Sequence, residues 1–350
     1  MKILLVRLSA LGDVINAFPV LGGIEAHFPE AEVHWLTEDR CAGIVGMLPS
    51  LARIHVYRRR SLVDHLRAGM WIKGGREFLG DIRALRAERF DLALDLQGNL
   101  KSGVLTWLSG ARRRIGFEAA RSREMNHGFL TETVSLPPGP LHRVDAHQGL
   151  LRALGIDEPP RRHAPPVAEK ARAALAERLA ALGEPRRPLV VFHPGTSDFG
   201  AFKRWAPERF AAVGDALARE RGARGLVTFG PGEKEIAQAV ATASREGLSL
   251  FPTPTLSDLA ALLATADLVV GGDTGPLHLA SALGTPIVAL FGPKDPALYA
   301  PYWEPREIVR ADVDCSPCGL RDCDDVQCML QITEARVIAA AGRLLDRARP

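Results

Sequence analysis

The sequence predicts an α/β protein made of two domains, each built around a parallel sheet. Its 350 residues can bury roughly two cores of ordinary domain size. Short apolar runs alternate with segments of helical periodicity, a pattern typical of parallel strands joined by right-handed helical crossovers. Residues 155–167 contain four prolines and no apolar period, which we interpret as the linker between two such series. We expect the two domains to face each other across a cleft.

The first series begins at residue 2 with KILLVRL, a predicted buried strand that is followed by a turn over residues 9–13 and a helix from Val14. Its other predicted elements are strands at 33–36, 54–57 and 92–96 and a helix at 78–89. The strand at 92–96 leads into Gln97, Gly98 and Asn99. Polar groups are therefore expected at the carboxyl edge, where open α/β sheets bind ligands.

The second series has the same organisation. Its predicted elements are helices at 168–182, 258–266 and 333–348, and strands at 189–192, 226–229, 268–271 and 287–291. Ser257 is predicted to cap the helix at 258–266, because a serine side chain can accept a hydrogen bond from the first turn.

The stretch DLVVGGDTGPLHLASALGTPIVALFGP, from residue 267, predicts a strand, a polar turn, a helix and a second strand. Pro276 is predicted to be the first helical residue. Backbone N–H groups at a helix start carry partial positive charge, and Gly275 lets the backbone approach an anion closely. The turn at 273–275 therefore suits a phosphate or diphosphate. A purely structural turn is the alternative.

The composition indicates a globular protein and gives no sign of a nucleic-acid partner. Hydrophobic residues make up 47% and charged residues 24%, as in ordinary soluble proteins, and the net charge is only +3. Residues 1–165 contain 23 Lys/Arg against 18 Asp/Glu, whereas the remainder contains 21 against 23. An anionic ligand or acidic membrane surface should therefore meet the first half more readily.

The amino terminus is not expected to be a signal peptide, because Arg7 and Asp13 interrupt its apolar run. No window approaches the roughly 20 apolar residues of a membrane span. We expect a cytoplasmic protein whose membrane contact, if any, is peripheral.

Four of the five cysteines are crowded into CSPCGLRDCDDVQC, at Cys315, Cys318, Cys323 and Cys328. In a reducing compartment this spacing favours a metal over disulfides. The segment has one CxxC pair, however, whereas the usual zinc pattern has two. We expect a structural or vestigial role and assign no metal or cofactor to the reaction; metal binding and disulfides remain open.

The sequence disfavours two common classes of nucleotide enzyme. It contains neither GxGxxG nor GxxxxGK[ST], which argues against a nicotinamide dehydrogenase and a P-loop phosphotransferase. Asp13 lies at the mouth of the first helix, where a carboxylate could act as general base for glycosyl or acyl transfer. Capping of that helix is the alternative.

Three residues of the second half could meet a nucleotide. Lys203 could neutralise a leaving diphosphate, or it could be an ordinary surface lysine. Glu233 follows a predicted strand, where a carboxylate often binds ribose hydroxyls. His278 lies one turn into its helix and either reaches a ligand or packs.

Eight arginines of the first half occur in short clusters along the sequence. Guanidinium groups pair with carboxylates and phosphates, so these residues could bind an acidic acceptor, or they could form an ordinary solvated surface. They are Arg58, Arg59, Arg60, Arg112, Arg113, Arg114, Arg121 and Arg123.

In combination, SALGDVINAFP, DLQGNLKSG, HPG followed by KRW, GGDTGPLHLASALGTPIVALFGP and CSPC…C…CM resemble glycosyltransferase family 9, the ADP-heptose:lipopolysaccharide heptosyltransferases. The resemblance runs from residue 3 to about residue 332, and DTGPLH is its most specific part. It implies a GT-B fold, in which two Rossmann-like domains hold the active site in their cleft. It further implies inverting, metal-independent transfer of heptose from ADP-heptose to the lipopolysaccharide inner core, either Kdo-lipid A or a first heptose.

The resemblance also implies roles for domains and residues. Residues 1–160 would bind the acceptor, 168–332 the nucleotide sugar, and 333–350 would form a terminal helix. The catalytic residues would be Asp13 as base and Lys203 at the departing ADP. The donor would meet Ser9, Thr196, Glu233, Leu256, Asp273, Thr274, Gly275 and His278. The acceptor would meet Arg60, Lys101, Arg123 and His142.

Two departures from the family pattern affect these expectations. Some members carry a second serine where this chain has Ala10, so one hydroxyl contact to the donor phosphate is not expected here. The cysteine cluster is similar to that of only part of the family. It is nearer that of the second heptosyltransferase than that of the first, and the acceptor therefore stays open. A GT-B nucleotide-sugar epimerase and a non-catalytic sugar-nucleotide-binding protein are the alternatives.

Overall fold

The computed structural model describes residues 1–347 except residues 197, 319 and 321. The chain forms two compact units, Met1–Pro165 and the part from Pro166 onwards. The boundary falls within the proline-rich stretch. Each unit contains one six-stranded sheet whose strand pairs are all parallel.

The first unit alternates strands and helices. Its strands are β1 Lys2–Val6, β2 Glu32–Glu38, β3 Arg53–Tyr57, β4 Leu92–Asp95, β5 Arg113–Phe117 and β6 Glu132–Val134. Its helices are α1 Leu11–Ile15, α2 Phe18–His27, α3 Asp39–Val45, α4 Arg59–Arg67, α5 Trp71–Ala87, α6 Leu100–Leu108 and α7 Arg143–Gly149. The strand order is β3-β2-β1-β4-β5-β6, so the winding direction reverses between β1 and β4.

The second unit repeats this topology. Its strands are β7 Leu189–His193, β8 Arg224–Val227, β9 Ser249–Leu250, β10 Leu268–Gly272, β11 Ile287–Leu290 and β12 Arg306–Val309. Its helices are α8 Glu169–Ala180, α9 Pro207–Arg221, α10 Lys234–Ala243, α11 Leu256–Thr265, α12 Gly275–Leu283, α13 Pro296–Tyr299, α14 Gln327–Leu330 and α15 Glu334–Arg347. The order β12-β11-β10-β7-β8-β9 reverses between β7 and β10.

Both orders are those of a Rossmann fold, in which ligands bind beyond the carboxyl ends of the strands at the point of reversal. The central strands are apolar without alternation because helices cover both faces of the sheet. In β1, for example, the four residues from Ile3 to Val6 have no exposed surface. The predicted α/β class with two parallel sheets is confirmed.

Several predicted boundaries and elements were wrong. Strands β5, β6, β9 and β12 were not predicted, because they are short or begin with charged residues such as Arg113 and Arg306. Helix α5 begins at Trp71 rather than at residue 78, since glycines in its first half weaken the helical pattern. The first helix begins at Leu11 with Ala10 as its N-cap, so Asp13 lies inside α1 and is not the cap.

Two helix starts also differ from the prediction. Helix α12 begins at Gly275 with Thr274 as N-cap, which places Pro276 at the second helical position. Ser257 does not cap α11. The cap is Thr255, whose hydroxyl accepts a hydrogen bond from the Asp258 backbone N–H at 3.1 Å, while the Asp258 carboxylate accepts from the Thr255 N–H at 3.1 Å. This reciprocal capping box satisfies two N–H groups that would otherwise lack partners.

We expect Thr255→Ala to lower the free energy of unfolding by about 1 kcal/mol, because it removes the cap of α11. Ser257→Ala is the matched control and should change it by less than about 0.5 kcal/mol. Urea unfolding followed by circular dichroism measures both. An equal effect of the two substitutions would show that the Thr255 cap contributes nothing specific.

Among the helices of the described residues, none is both long enough and apolar enough to cross a membrane.

Candidate active site

The carboxylate of Asp13 lies at the reversal point of the first sheet. Arg7 follows β1 directly and is buried; its Nη2 lies 2.8 Å from Asp13 Oδ2. Its Nη1 donates to the Leu96 carbonyl at 2.8 Å, which ties the ends of β1 and β4 together. Burial lowers the pKa of the Arg7 guanidinium, and Asp13 opposes this effect. The Asp13 side chain is 32% exposed, so an oriented carboxylate remains accessible to solvent.

A second contact holds the loop after β1. Gln97 Oε1 accepts hydrogen bonds from the backbone N–H groups of Leu8 at 2.8 Å and Ser9 at 3.2 Å. The Gln97 backbone N–H in turn donates to buried Asp95 at 2.9 Å. Burial raises the pKa of Asp95, whereas its hydrogen bonds lower it. The loop that contains Ser9 is therefore held by the loop after β4.

In the second unit, Lys203 and Asp273 meet across the reversal point. Lys203 follows β7, Asp273 follows β10, and Lys203 Nζ donates to Asp273 Oδ2 at 2.7 Å. His278 Nε2 lies 3.9 Å from the other carboxylate oxygen. Burial by itself raises the pKa of Asp273, but His278 and Lys203 together bring it below its ordinary value. Asp273 is therefore an anion that positions one cation and one imidazole.

The same turn is the start of α12. The Thr274 side chain does not cap the helix, and Gly275 is its first residue. Within the described chain, His278 Nδ1 is buried and has no hydrogen-bond partner. A buried polar group without a hydrogen-bond partner destabilises the folded protein unless a ligand or a water molecule supplies that partner. An anion here would meet Lys203, the helix start and an available imidazole nitrogen.

Glu233 lies at the carboxyl end of β8. It accepts from the Gly230 backbone N–H at 2.8 Å, and its Oε2 lies 3.6 Å from His193 Nε2. A Cβ on Gly195 would come within 2.2 Å of this carboxylate, so a larger residue there would displace the Glu233 side chain. Burial lowers the pKa of His193 while Glu233 opposes this. Glu233 is thus fixed beside the loop after β7.

Thr196 lies in that loop and is held by Arg204. Arg204 Nε donates to Thr196 Oγ1 at 3.0 Å, and Nη2 donates to the Thr196 carbonyl at 2.7 Å. Leu256 is the first residue of α11, which follows β9 in the chain, and it is half-buried. Each residue assigned to the donor, apart from Ser9, therefore follows a strand of the second sheet.

The residues assigned to the acceptor lie on several different segments of the first unit. Lys101 on α6 forms an ion pair with Glu38, a buried residue at the end of β2 that also binds Arg40 at 3.1 Å. Arg60 and Arg123 are exposed. His142 is buried and is the N-cap of α7; its Nδ1 accepts from the Val144 N–H at 3.1 Å.

Three site residues were not predicted. Arg7 orients Asp13, Gln97 holds the Ser9 loop, and Arg204 holds Thr196. A signal existed for Arg7, because a charged residue at the end of a fully apolar strand is costly to bury without a partner. Gln97 lies in the motif DLQGNLKSG and Arg204 in the motif KRW. Their hydrogen-bond partners could not be predicted, because these depend on how the loops fold.

A possible metal ligand set occurs away from these loops. Among the described residues, one group of ligand atoms lies within 4.8 Å, from His34, His55 and Glu88. His34 Nδ1 and His55 Nε2 are 3.0 Å apart with ring planes at 13°, which suits a shared N–H···N hydrogen bond. Burial lowers the pKa of His55 to about 4, and the electrostatic effect of His34 acts in the same direction. Glu88 already pairs with Lys2 at 3.1 Å and Arg53 at 2.6 Å.

The late cysteines form no such group. All of Cys315, Cys318, Cys323 and Cys328 are described, each is a free thiol, and they are absent from the ligand clusters of the described chain. Burial is the main cause that raises the pKa of the Cys328 thiol, and the other three cysteines raise it further. The predicted structural role of this segment stays a prediction.

Comparison with known structures supports the fold. The chain is similar to the structure of Escherichia coli heptosyltransferase WaaC with ADP, with a TM-score of 0.77 and 24% identity over 98% of this chain and 100% of that one. The GT-B fold consists of two Rossmann-like units, and the prediction of that fold is confirmed.

Comparison of sequences gives the family. The model of glycosyltransferase family 9 (heptosyltransferase) matches residues 81–328. The lipopolysaccharide heptosyltransferase 1 of Pseudomonas aeruginosa is 31% identical over 92% of this chain and 87% of its own length. The lipopolysaccharide heptosyltransferase 2 of Escherichia coli is 26% identical over 99% of each chain. The chain therefore belongs to glycosyltransferase family 9, the heptosyltransferases, as the motifs around Asp13 and Asp273 predicted.

Proposed function

We propose that the protein transfers heptose from ADP-heptose to the inner core of lipopolysaccharide, with Kdo-lipid A or a first heptose as acceptor. The observation that carries this proposal is the contact between Lys203 and Asp273 at the start of α12. In a family 9 glycosyltransferase, a cation beside a helix start matches a sugar diphosphate better than a neutral ligand.

The donor binds along the carboxyl ends of β7, β8 and β10. Its diphosphate lies against Lys203 and the backbone of Thr274 and Gly275, where the helix dipole favours negative charge. Glu233 accepts hydrogen bonds from the ribose hydroxyls. His278 contributes the ring nitrogen that has no protein partner among the described residues. The remaining donor contacts are with Ser9, Thr196, Leu256 and Asp273.

Chemistry requires one base and one stabilised leaving group. Asp13 removes the proton from the acceptor hydroxyl as that oxygen attacks the anomeric carbon. The bond from that carbon to the diphosphate oxygen breaks on the opposite face, which inverts the configuration. Lys203 and the start of α12 stabilise the charge that develops on ADP, the role that a divalent cation would otherwise have. No metal is needed for this scheme because the protein supplies the positive charge.

The acceptor is acidic and binds the first unit. Its negative groups are met by Arg60, Lys101, Arg123 and His142, consistent with the excess of Lys/Arg over Asp/Glu in residues 1–165. Since lipopolysaccharide precursors are lipids, the enzyme works at the cytoplasmic face of the inner membrane, where it is bound peripherally.

Incubation with ADP-heptose, with and without Kdo-lipid A or its mono-heptosylated form, tests the proposal. We expect a heptosylated lipid and released ADP only when an acceptor is present, detected by mass spectrometry. An isomerised sugar nucleotide formed without acceptor would instead identify an epimerase. Saturable ADP-heptose binding without product would identify a non-catalytic binding protein. The acceptor that reacts faster distinguishes the two heptosyltransferase types.

A further inference from the structure

The turn between α4 and α5 exposes a group of large apolar side chains. We call residues 66–73 the hairpin tip. Within it Leu66 and Met70 are each 44% exposed, Trp71 is 67% exposed and Ile72 is 81% exposed. Single exposed apolar residues are common on soluble proteins, but a contiguous group that includes tryptophan indicates a contact surface.

The hairpin tip is held in place by the helices behind it. Gly69 adopts φ +71°, and the Met70 N–H donates to the His65 carbonyl at 2.8 Å, which closes the turn. Further back, Glu77 on α5 accepts from Ser61 Oγ on α4 at 3.1 Å and lies 3.4 Å from His65 Nδ1. These contacts between α4 and α5 hold the exposed apolar residues in a fixed position.

The two helices that carry this apolar group have an excess of positive charge. Residues 58–86 contain eight Lys/Arg and three Asp/Glu, a net charge of +5 that equals the whole excess of residues 1–165. Arg67, Lys73 and Arg76 are exposed at or next to the tip. Basic residues near an anionic leaflet are attracted over about a Debye length, and tryptophan favours the membrane–water interface.

We propose that the hairpin tip is the surface by which the protein docks on an anionic phospholipid bilayer. Trp71, Ile72 and Met70 enter the interface, while Arg67, Lys73 and Arg76 pair with lipid phosphates. Charge complementarity favours an anionic bilayer as the partner. The hairpin tip of a second copy of the chain carries the same positive charge and would be repelled. The inference rests on the proposed function only in that the acceptor must lie in a membrane.

Vesicle flotation tests the docking without donor or acceptor. We expect the protein to bind vesicles that contain phosphatidylglycerol, to bind vesicles of phosphatidylcholine alone weakly, and to dissociate as salt is raised. The double variant W71A/I72S should lower the partition coefficient about tenfold or more. W107A is its matched control, because Trp107 on α6 is also exposed, at 54%.

A second pair of variants tests the charges. K73S/R76S should lower binding to anionic vesicles about tenfold and reduce its salt dependence, since each basic residue contributes to the attraction. R172S/R336S removes two exposed arginines from the second unit and should leave binding unchanged.

Vesicle flotation does not depend on transferase activity. A failure of membrane docking can therefore be distinguished from a failure of the proposed function. With a short acyl-free acceptor, W71A/I72S should retain wild-type kcat, whereas turnover of an acceptor embedded in vesicles should fall. Equal vesicle binding by W71A/I72S and W107A would overturn the proposal. So would binding that requires the acceptor lipid, or a wild-type dimer in sedimentation that the tip variant loses.

Discussion

Asp13→Ala should lower kcat by about 10²–10⁴-fold, the usual contribution of a general base. ADP affinity should change little, because the diphosphate contacts assigned above come from the second unit. The physical reason is geometric: Asp13 is held by Arg7 at 2.8 Å yet is 32% exposed, so it is oriented and still reachable. Single-turnover kinetics and ADP titration calorimetry separate the two quantities.

The control is Asp39→Ala, which removes an exposed carboxylate from the first turn of α3 in the same unit. It should leave kcat unchanged. Because Asp13→Ala also leaves the buried Arg7 charge without its partner, Asp13→Asn serves as a second variant that keeps the side-chain shape. Thermal unfolding shows whether either protein is misfolded. Folded Asp13 variants with wild-type turnover would refute the assignment of the base.

Lys203→Met should weaken ADP binding and lower kcat by about 10²–10³-fold, the range found when one stabilising donor is removed from a transition state. Lys203 holds Asp273 at 2.7 Å, so its loss also leaves an anion beside the donor diphosphate. Lys234→Met is the matched control, since Lys234 is an exposed lysine at the start of α10. Equal behaviour of the two variants would show that Lys203 does not meet the diphosphate.

The pH dependence of unfolding gives Lys203→Met an independent readout. The pKa of Asp273 is lowered in the folded protein. Its contribution to stability is therefore present above the unfolded value of about 3.9 and is lost as pH falls through the lower folded value. Without Lys203 the folded pKa rises towards the unfolded value, so the acid-dependent loss of stability should be smaller and should end at a higher pH. Urea midpoints measured from about pH 6 downwards record this shift.

The family and the βαβ unit around Asp273 could be predicted because their signals are local. DTGPLH combines strand end, anion-binding turn and helix start in one contiguous segment, and the structure differs there by one residue at the start of α12. The Thr255 cap was missed because Ser257 is an equally good capping residue by type. What selects between them is the reciprocal bond to Asp258, which depends on the start of α11.

Local sequence was sufficient for two parallel α/β domains and for the residue types at their strand ends, since buried strands and helix starts follow from neighbouring side chains. The contacts of the site required the fold. Lys203 and Asp273 are 70 positions apart, and Arg7 is 89 from the Leu96 carbonyl. Each pair meets because the winding reverses between two adjacent strands, and strand order depends on the packing of the whole sheet rather than on any one segment.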